Sequence, residues 1–336
     1  MSPLPGKRAL IVLCAVTLLA HCGGEKRPAQ AYDALPLFER EVVISEGFDT
    51  LRPSRLLFHH DTLYVGYNGV ARIDLFSPDL KRIGKIFLNE PVAIVPTAFA
   101  IADSEIVVCD HAHRAVALFD RTGIFKTSFG KLPDRETPLS PLAVAYYGGV
   151  MYVTDISLQR VLAISLADAP GITERGELIL SIPADTTDTV GFPSAVHVTP
   201  DGRLLVGDAD NGLVRVFTCD GRPVYSFDTV PTALTMAPMA FAVDDVVDPS
   251  LQDTASFDPS DVHAQGRYHV VDANNATVHM FNPLGRYIAS YPLDKRLVRP
   301  SGVAIDPKTA RVFVADPQAA RVFIYRYRGR PGRSPW

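Results

Sequence analysis

The stretch Val312-Phe-Val-Ala-Asp316, with Tyr325 nine residues after its Asp, is the last of six copies of one pattern. Each copy has a short apolar strand that ends at an anchor residue, and a bulky apolar residue nine positions later on a second strand. The six anchors are Gly66, Asp110, Asp155, Asp208, Asp272 and Asp316. Successive anchors lie 44 to 64 residues apart, within or just beyond the repeat length of propeller blades. The repetition therefore predicts six structural units of the same kind.

Each repeat carries signals for four antiparallel strands. A Pro followed by small or apolar residues opens the repeat, as in Pro300-Ser-Gly-Val303. A second strand ends at the anchor, and a third alternates, as in Arg321-Val-Phe-Ile-Tyr325. A tight turn such as Asp120-Arg-Thr-Gly123 supplies the positive φ that a hairpin needs, and a more polar fourth strand follows it. The sequence thus predicts an all-β fold of six four-stranded blades.

Closure of the ring is predicted from the two ends of the repeat region. The last repeat ends at Tyr327 with three strands, and Glu41-Val-Val-Ile-Ser-Glu46 is a strand without a repeat of its own. Pairing that strand as the outer strand of the sixth blade would join the termini and remove an open sheet edge. The predicted architecture is a six-bladed β-propeller over residues 39–328, closed by an N-terminal strand.

The repeats resemble the NHL repeat of six-bladed β-propellers, whose consensus runs Pro-x-Gly-Val-Ala-Val, Val-x-Asp, Asn-x-Arg-Val-x-x-Phe and Asp-Gly. Residues 299–325 match it best, through Arg299-Pro-Ser-Gly-Val-Ala-Ile-Asp306, Val312-Phe-Val-Ala-Asp316 and Ala320-Arg-Val-Phe-Ile-Tyr325. The likeness extends over roughly residues 40–327. It implies the same six-bladed fold.

Two groups of enzymes on this fold provide a comparison. Peptidyl-hydroxyglycine lyases hold zinc with histidines near the channel, one of them directly after a blade-opening Pro. Gluconolactonase-like hydrolases hold calcium with a Glu, an Asn and an Asp at the channel mouth. The residues after the six prolines of this chain are Ser54, Thr97, Leu142, Ser194, Met239 and Ser301. None of these is a His, and the first-strand segments offer Arg55 and His197 but no acidic set, so neither ligand pattern is matched.

The N-terminus has the features of an export signal. Lys7 and Arg8 precede an apolar run from Ala9 to Ala20 that is too short to span a bilayer. Leu19-Ala-His-Cys22 resembles a bacterial lipobox, with His21 in place of the usual small residue. The resemblance implies a signal peptide over residues 1–21, lipidation of Cys22 and a flexible tether over residues 22–38.

The location follows from the same segment. Gly23, rather than Asp, after the Cys resembles lipoproteins that are sent to an outer membrane. An exported envelope lipoprotein is therefore predicted. Cleavage after Ala29-Gln-Ala31 remains open as an alternative and would release a soluble periplasmic or secreted protein.

Composition and net charge limit the classes of partner that are expected. The chain has 336 residues and a formal net charge of −4 at pH 7, without a basic stripe with interleaved aromatics. Nucleic-acid binding is therefore not expected. The blades stack into one body, so we predict one domain and a monomer, followed by a flexible basic tail over residues 329–336.

Candidate functional residues fall in the loops between the second and third strands, which share one face of a propeller. The five repeated Asp residues (Asp110, Asp155, Asp208, Asp272 and Asp316) are predicted to cap the turns that they begin. Polar residues that differ between blades are the candidate partner contacts: Tyr67, His113, Arg114, Arg160, Asn211, Asn275 and Gln318.

Histidines are the candidate metal ligands. His111 and His113 would point the same way from an extended segment, and His197 falls in the innermost strand of blade four, beside the channel. No cofactor is predicted, and a calcium or zinc ion at the channel mouth is left open.

Two functions remain at this point. The first is a non-catalytic, envelope-anchored module that binds an envelope or extracellular protein, or a small ligand, through the channel-mouth loops. The alternative is a metal-dependent lyase or hydrolase of the six-bladed propeller type. The absence of a catalytic constellation in the sequence favours the first.

The lipobox resemblance yields a direct test. Cys22→Ala should abolish lipid labelling and membrane association, because the acceptor thiol is lost. Metabolic labelling with a radioactive fatty acid, followed by fractionation, measures both, and Cys14→Ala within the signal is the control. Labelling that persists in Cys22→Ala would contradict the assignment.

Overall fold

The computed structural model describes residues 36–46, 49–89, 94–131, 138–166, 178–183, 190–228, 230, 232, 234–244, 266–291 and 296–327. Statements about structure refer to these residues. They contain no helix long and apolar enough to cross a membrane. Cys22, the predicted signal peptide and the predicted basic tail lie outside the described residues.

The described chain folds into six four-stranded antiparallel sheets and one short hairpin. The N-terminal strands are β1 (Leu37–Val43), β2 (Ser45–Glu46) and β3 (Asp49–Thr50). Blade 1 is formed by β4 (Pro53–His59), β5 (Thr62–Tyr67), β6 (Val70–Phe76) and β7 (Arg82–Phe87). Blade 2 is formed by β8 (Pro96–Ile101), β9 (Glu105–Asp110), β10 (Ala115–Asp120) and β11 (Phe125–Phe129). Blade 3 is formed by β12 (Pro141–Tyr147), β13 (Val150–Asp155), β14 (Arg160–Ser165) and β15 (Leu178–Ile182).

The remaining blades repeat this order. Blade 4 is formed by β16 (Pro193–Val198), β17 (Arg203–Asp208), β18 (Leu213–Thr218) and β19 (Pro223–Phe227). Blade 5 is formed by β20 (Pro238–Asp244), β21 (Arg267–Asp272), β22 (Thr277–Phe281) and β23 (Tyr287–Ser290). Blade 6 is formed by β24 (Gly302–Asp306), β25 (Arg311–Asp316), β26 (Arg321–Arg326) and the N-terminal strand β1. The predicted six-bladed β-propeller is confirmed.

The innermost strands contact one another around the ring, from β4 through β8, β12, β16 and β20 to β24 and back to β4. The side chains of these strands are mostly small near the axis, which lets the six backbones approach. Gly302 shows how close they come, since a Cβ there would lie 2.8 Å from the carbonyl oxygen of Ser54 in blade 1. A larger residue would push blades 6 and 1 apart.

The hydrophobic core is divided among the six interfaces between neighbouring blades, one cluster to each. The bulky residue nine positions after the anchor supplies much of this core. Phe119, Ile164, Phe217, Phe281 and Tyr325 are all buried. Each such side chain contributes about 1.5–3 kcal/mol when it leaves water. The nine-residue spacing in the sequence therefore places these bulky side chains in the contacts between neighbouring blades.

The predicted closure by an N-terminal strand is confirmed, but the strand has different bounds from the predicted ones. β1 spans Leu37–Val43 and pairs antiparallel with β26, whereas Glu41–Glu46 was predicted as the closing strand. Ser45–Glu46 instead pairs with Asp49–Thr50 in the short hairpin. The observed register stacks Phe38 edge-on against Tyr325, with ring centroids 6.0 Å apart. The strand therefore starts two residues before the predicted boundary at residue 39.

Two ion pairs stabilise the same register of β1 against β26. Glu39 accepts two hydrogen bonds from Arg311, from Nε at 3.0 Å and from Nη2 at 2.9 Å. Glu41 pairs with Arg321. A bidentate guanidinium–carboxylate contact fixes geometry as well as adding energy, so a shift of β1 by one residue would break it.

Deletion of residues 37–43 should destabilise the whole ring, because it removes the outer strand of blade 6 and the contacts of Phe38 and Glu39. We expect a fall in melting temperature of about 10 °C or more, measured by circular dichroism. Deletion of residues 23–35, which precede β1, is the control and should change the melting temperature little. Equal losses in the two variants would contradict closure by β1.

Candidate functional site

The five anchor carboxylates are buried and accept backbone hydrogen bonds from two segments at once. Oδ1 of Asp316 accepts from the amides of Gln318 at 3.0 Å and Ala319 at 2.9 Å in the following turn. Oδ2 of Asp316 accepts from Val298 and Arg299, which lead into β24. The other four anchor carboxylates each accept from one amide before the first strand and one amide in the turn. The pairs are Val95 and Ala112 for Asp110, Ser140 and Ser157 for Asp155, Gly191 and Asn211 for Asp208, and Ala237 and Asn274 for Asp272.

This geometry is what a turn cap requires, and it adds a second role that the sequence did not indicate. Each carboxylate also ties the segment that enters the first strand to the loop that leaves the second. We call the side of the ring where the blade-opening prolines and these loops lie the proline face. The hairpins between the first and second strands, such as His60–Asp61, lie on the opposite side, which we call the hairpin face.

Blade 1 departs from the pattern for a steric reason. A Cβ at Gly66 would lie 2.7 Å from Cε1 of Phe99, which packs there from blade 2. Blade 1 has a buried carboxylate at a different place, Asp74 on β6, which pairs with the side chains of Arg72 at 2.7 Å and Arg82 at 3.1 Å.

Two predicted partner contacts are wrong, because their side chains are buried. Tyr67 is 2% exposed, and its hydroxyl donates to Oδ2 of Asp74 at 2.9 Å. Arg160 is 8% exposed, and its Nη1 donates to the carbonyl of Pro183 at 2.6 Å. Both positions begin or end strands of the blade, where the polar tip is needed to satisfy buried groups.

Two further candidates, the exposed Arg114 and the half-buried Asn275, are held by internal hydrogen bonds. Arg114 donates to the carbonyls of Leu139 at 3.0 Å and Pro138 at 3.2 Å, which connects blade 2 to the start of blade 3. The amide of Asn275 bonds to the backbone of Leu234. His113, Asn211 and Gln318 remain exposed on the proline face, and their role in binding stays a prediction.

The histidines of the proline face do not form the predicted pair. Residues 111–114 form a turn, so His111 and His113 do not alternate along an extended strand. Nδ1 of His113 contacts Oδ2 of Asp110 at 2.5 Å, which orients the ring toward its own turn cap. Within the described residues, no group of three His, Cys, Asp or Glu side chains could hold a metal ion.

A cavity of about 660 Å³ occupies the axis of the ring. It is lined by all six innermost strands, from Arg55 near the proline face to His59, His60 and Tyr147 at the hairpin face. Its volume lies within the range of small-molecule binding pockets.

Arg55 closes much of the cavity at the proline face. Its guanidinium crosses the axis and donates to the carbonyls of Thr97 at 3.0 Å, Ser301 at 2.5 Å and Met239 at 3.4 Å, which belong to blades 2, 6 and 5. Burial lowers the pKa of Arg55 below its usual value. The side chain nevertheless stays charged at neutral pH, since an arginine does not lose its proton in a protein.

A sequence signal for Arg55 exists in the alignment of the repeats. The residue two positions after the opening Pro is small in the other five blades, namely Ala98, Ala143, Ala195, Ala240 and Gly302. Arg55 is the exception. His197 breaks a similar pattern two residues further on, where four other blades have Ala100, Ala145, Ala242 and Ala304.

The structure places His197 in the wall of the cavity, as the sequence indicated. Burial lowers its pKa to about 4, so the ring is neutral at pH 7. Among the described residues, its ring nitrogens have no hydrogen-bond partner. A neutral imidazole in this position can donate one hydrogen bond and accept another.

The hairpin-face mouth of the cavity has two different halves. Blades 1 to 3 supply polar and aromatic groups, with His59 and His60 beside Arg121 and with the hydroxyl of Tyr146 bonded to Oδ2 of Asp103 at 2.7 Å. Burial, His60 and Arg121 lower the pKa of His59. Blades 4 to 6 supply the aliphatic residues Val198, Val243 and Ile305. The mouth can thus contact a ligand with one polar side and one apolar side.

Solved structures similar to this chain support the β-propeller fold. The virginiamycin B lyase of Staphylococcus aureus aligns at a TM-score of 0.55 and 14% identity, over 85% of this chain and 98% of that chain. A streptogramin B lyase aligns at 0.56 and 13% identity, over 86% and 87%. The Cps50 (Swd1) β-propeller domain of Myceliophteria thermophila aligns at 0.51 and 13% identity, over 85% and 99%. No protein-family model and no curated protein matches the sequence.

These comparisons define a class by its architecture. At identities of 13–14%, the likeness shows a shared β-propeller fold alone. Function must therefore be argued from the residues of the cavity and its mouth.

The anchor carboxylates can be tested at Asp208. Burial would raise the pKa of Asp208, but hydrogen bonds from Asn211 and Arg215 outweigh it and hold the pKa below its ordinary value of 3.8. Asp208→Ala should lower the free energy of unfolding by about 2 kcal/mol at pH 7, since buried amides lose their acceptor. Urea denaturation measures the change, and Asp210→Ala in the same turn should stay within about 0.5 kcal/mol of wild type.

The pH dependence has a definite sign. The pKa of Asp208 is lower in the folded than in the unfolded protein. The ionised carboxylate therefore stabilises the fold fully above the ordinary Asp pKa, and this stabilisation is lost as the pH falls through the folded-state pKa. The difference in free energy of unfolding between wild type and Asp208→Ala should therefore shrink below about pH 4. A difference that stays constant down to acid pH would contradict the role of the ionised carboxylate.

Proposed function

We propose that this protein is an envelope-anchored, NHL-like β-propeller that acts as a non-catalytic binding module. Recognition takes place at the hairpin-face mouth of the central cavity. The observation that carries the proposal is the cavity of about 660 Å³, which reaches a mouth with a polar half and an aliphatic half. Anchoring through Cys22 is part of the proposal and rests on the lipobox resemblance.

The residues of the mouth suit recognition better than those of the proline face. His60 is exposed and Arg121 is half-buried beside it, so both can meet a ligand. Tyr146 and Tyr147 add aromatic surface, and aromatic residues and Arg are the types that most often anchor interfaces. Both faces carry an arginine that is bonded to backbone carbonyls, Arg121 to Ala102 and Asp103 and Arg114 to Leu139 and Pro138, so the aromatic surface and the adjoining cavity are what favour the mouth.

A metal-dependent lyase or hydrolase is the second candidate. His197 in the cavity wall supports it, together with the likeness to two structures that are named lyases. Metal analysis of the purified protein separates the two candidates. A stoichiometric divalent ion that is lost in His197→Ala would favour the enzyme.

Substitutions on the two faces test where binding occurs. His60→Ala and Arg121→Ala should weaken partner capture from envelope fractions by about fivefold or more, because each removes a polar group from the polar half of the mouth. His111→Ala and Gln318→Ala change exposed residues of the proline face, where the sequence predicted the partner contacts. Under the present proposal, which replaces that prediction, both variants should capture as wild type does. Thermal stability is measured in parallel to confirm folding.

The reverse result has a clear meaning. If capture falls in His111→Ala or Gln318→Ala and not in the mouth variants, the proline face is the binding face and the proposal for the mouth is wrong.

A further inference from the structure

The guanidinium of Arg55 is a charge inside the cavity without a negatively charged partner. Its three hydrogen-bond acceptors are neutral backbone carbonyls, bonded to Nε and Nη1. Its Nη2 has no acceptor among the described residues. Arginine carries five N–H donors, so part of the guanidinium remains able to bind another group.

The lining of the cavity offers no compensating charge near Arg55. Among the lining residues, the one carboxylate is Asp103, at the opposite end of the cavity and bonded to Tyr146. The thiol of Cys109 does not supply the charge, because burial raises its pKa and keeps it neutral. Arg55 is partly buried, and a cation that is partly removed from water without a counter-ion carries a cost that an anion entering the cavity would relieve.

The remaining lining residues indicate the chemistry of the part of the ligand that lies beyond its anionic group. Between Arg55 and the mouth, aliphatic and aromatic side chains, including Leu57, Ala145, Val196 and Phe241, line the cavity together with polar backbone groups at the free edges of the innermost strands. Four residues separate Arg55 from His59 on β4, which corresponds to a depth of about 13 Å at the rise of a strand. Neutral His197 stands in this wall as a further hydrogen-bond donor.

We propose that the cavity binds a monocarboxylate with an extended apolar body, with the carboxylate on Arg55 and the body directed along the axis toward the hairpin face. The ligand resembles a medium-chain fatty acid in chemistry. The charge is met by the guanidinium, and the apolar walls cover the chain. This inference rests on the proposed function, because it names the ligand class of the same cavity.

The position of Arg55 argues against a purely structural role. The other five blades close around the axis with Ala or Gly at the same position of the repeat. Those five small side chains leave room on the axis for one arginine, which links three blades through its hydrogen bonds and whose Nη2 has no acceptor among the described residues.

Isothermal titration of the purified full chain with decanoate tests the proposal. Decanoate should bind at least about tenfold more tightly than decan-1-ol, which has the same chain length without the charge. Arg55→Met should reduce the affinity for decanoate by about tenfold or more and leave that for decan-1-ol nearly unchanged. Arg55→Lys keeps the charge and should retain part of the preference.

A second variant protects the test against misfolding of the Arg55 variants. Ala145→Phe narrows the cavity without touching the guanidinium and should block decanoate by steric exclusion, with circular dichroism as the check of folding. Equal affinity for decanoate and decan-1-ol, or unchanged decanoate binding in Ala145→Phe, would overturn the proposal, as would absence of binding to wild type.

Failure here can be told apart from failure of the proposed function. If decanoate does not bind but His60→Ala and Arg121→Ala still lose partner capture, the proposed binding at the mouth is supported and only the proposed monocarboxylate ligand is wrong. If decanoate binds through Arg55 while the mouth variants capture normally, the cavity is a ligand site and the mouth is not the partner surface.

Discussion

The structure depends on closing the ring of six blades, because the hydrophobic core exists only between neighbouring blades. Each of the six core clusters combines side chains from two adjacent blades. A blade alone would leave both of its apolar faces in water. The pairing of β1 with β26 completes blade 6 and so allows the cluster between blades 6 and 1 to form. Repeat proteins gain stability from such neighbour contacts rather than from single units.

Closure of the ring also creates the cavity. Six innermost strands with small side chains meet around the axis and leave a space that their own residues do not fill. The space takes its chemistry from the positions at which one blade differs from the rest. Arg55 and His197 are two such positions, and both replace residues that are small in most blades. Function on a repeat fold therefore concentrates where the repeat is broken.

The repeated Asp residues show the opposite behaviour. Each carboxylate binds backbone amides on two sides of the blade, and the contacts recur from blade 2 to blade 6. Buried polar groups of the entering segment and of the turn are satisfied together. The variable polar residues beside these anchors are often used in the same task, as Arg114 and Asn275 show. Difference between blades is thus not sufficient evidence for a binding role.

The sequence by itself determined the class of fold, the number of blades and the presence of an N-terminal closing strand. These features follow from local spacing, since a strand that ends in Asp and a bulky residue nine positions later recur six times. The register of β1 was not determined, because it depends on contacts of Phe38 and Glu39 with residues more than 250 positions away. Tyr67 and Arg160 were misjudged for the same reason, since burial is a property of packed blades. Only the tertiary structure brought Arg55 opposite Thr97, Met239 and Ser301, because the axis where they meet exists only after six separate segments have closed into a ring.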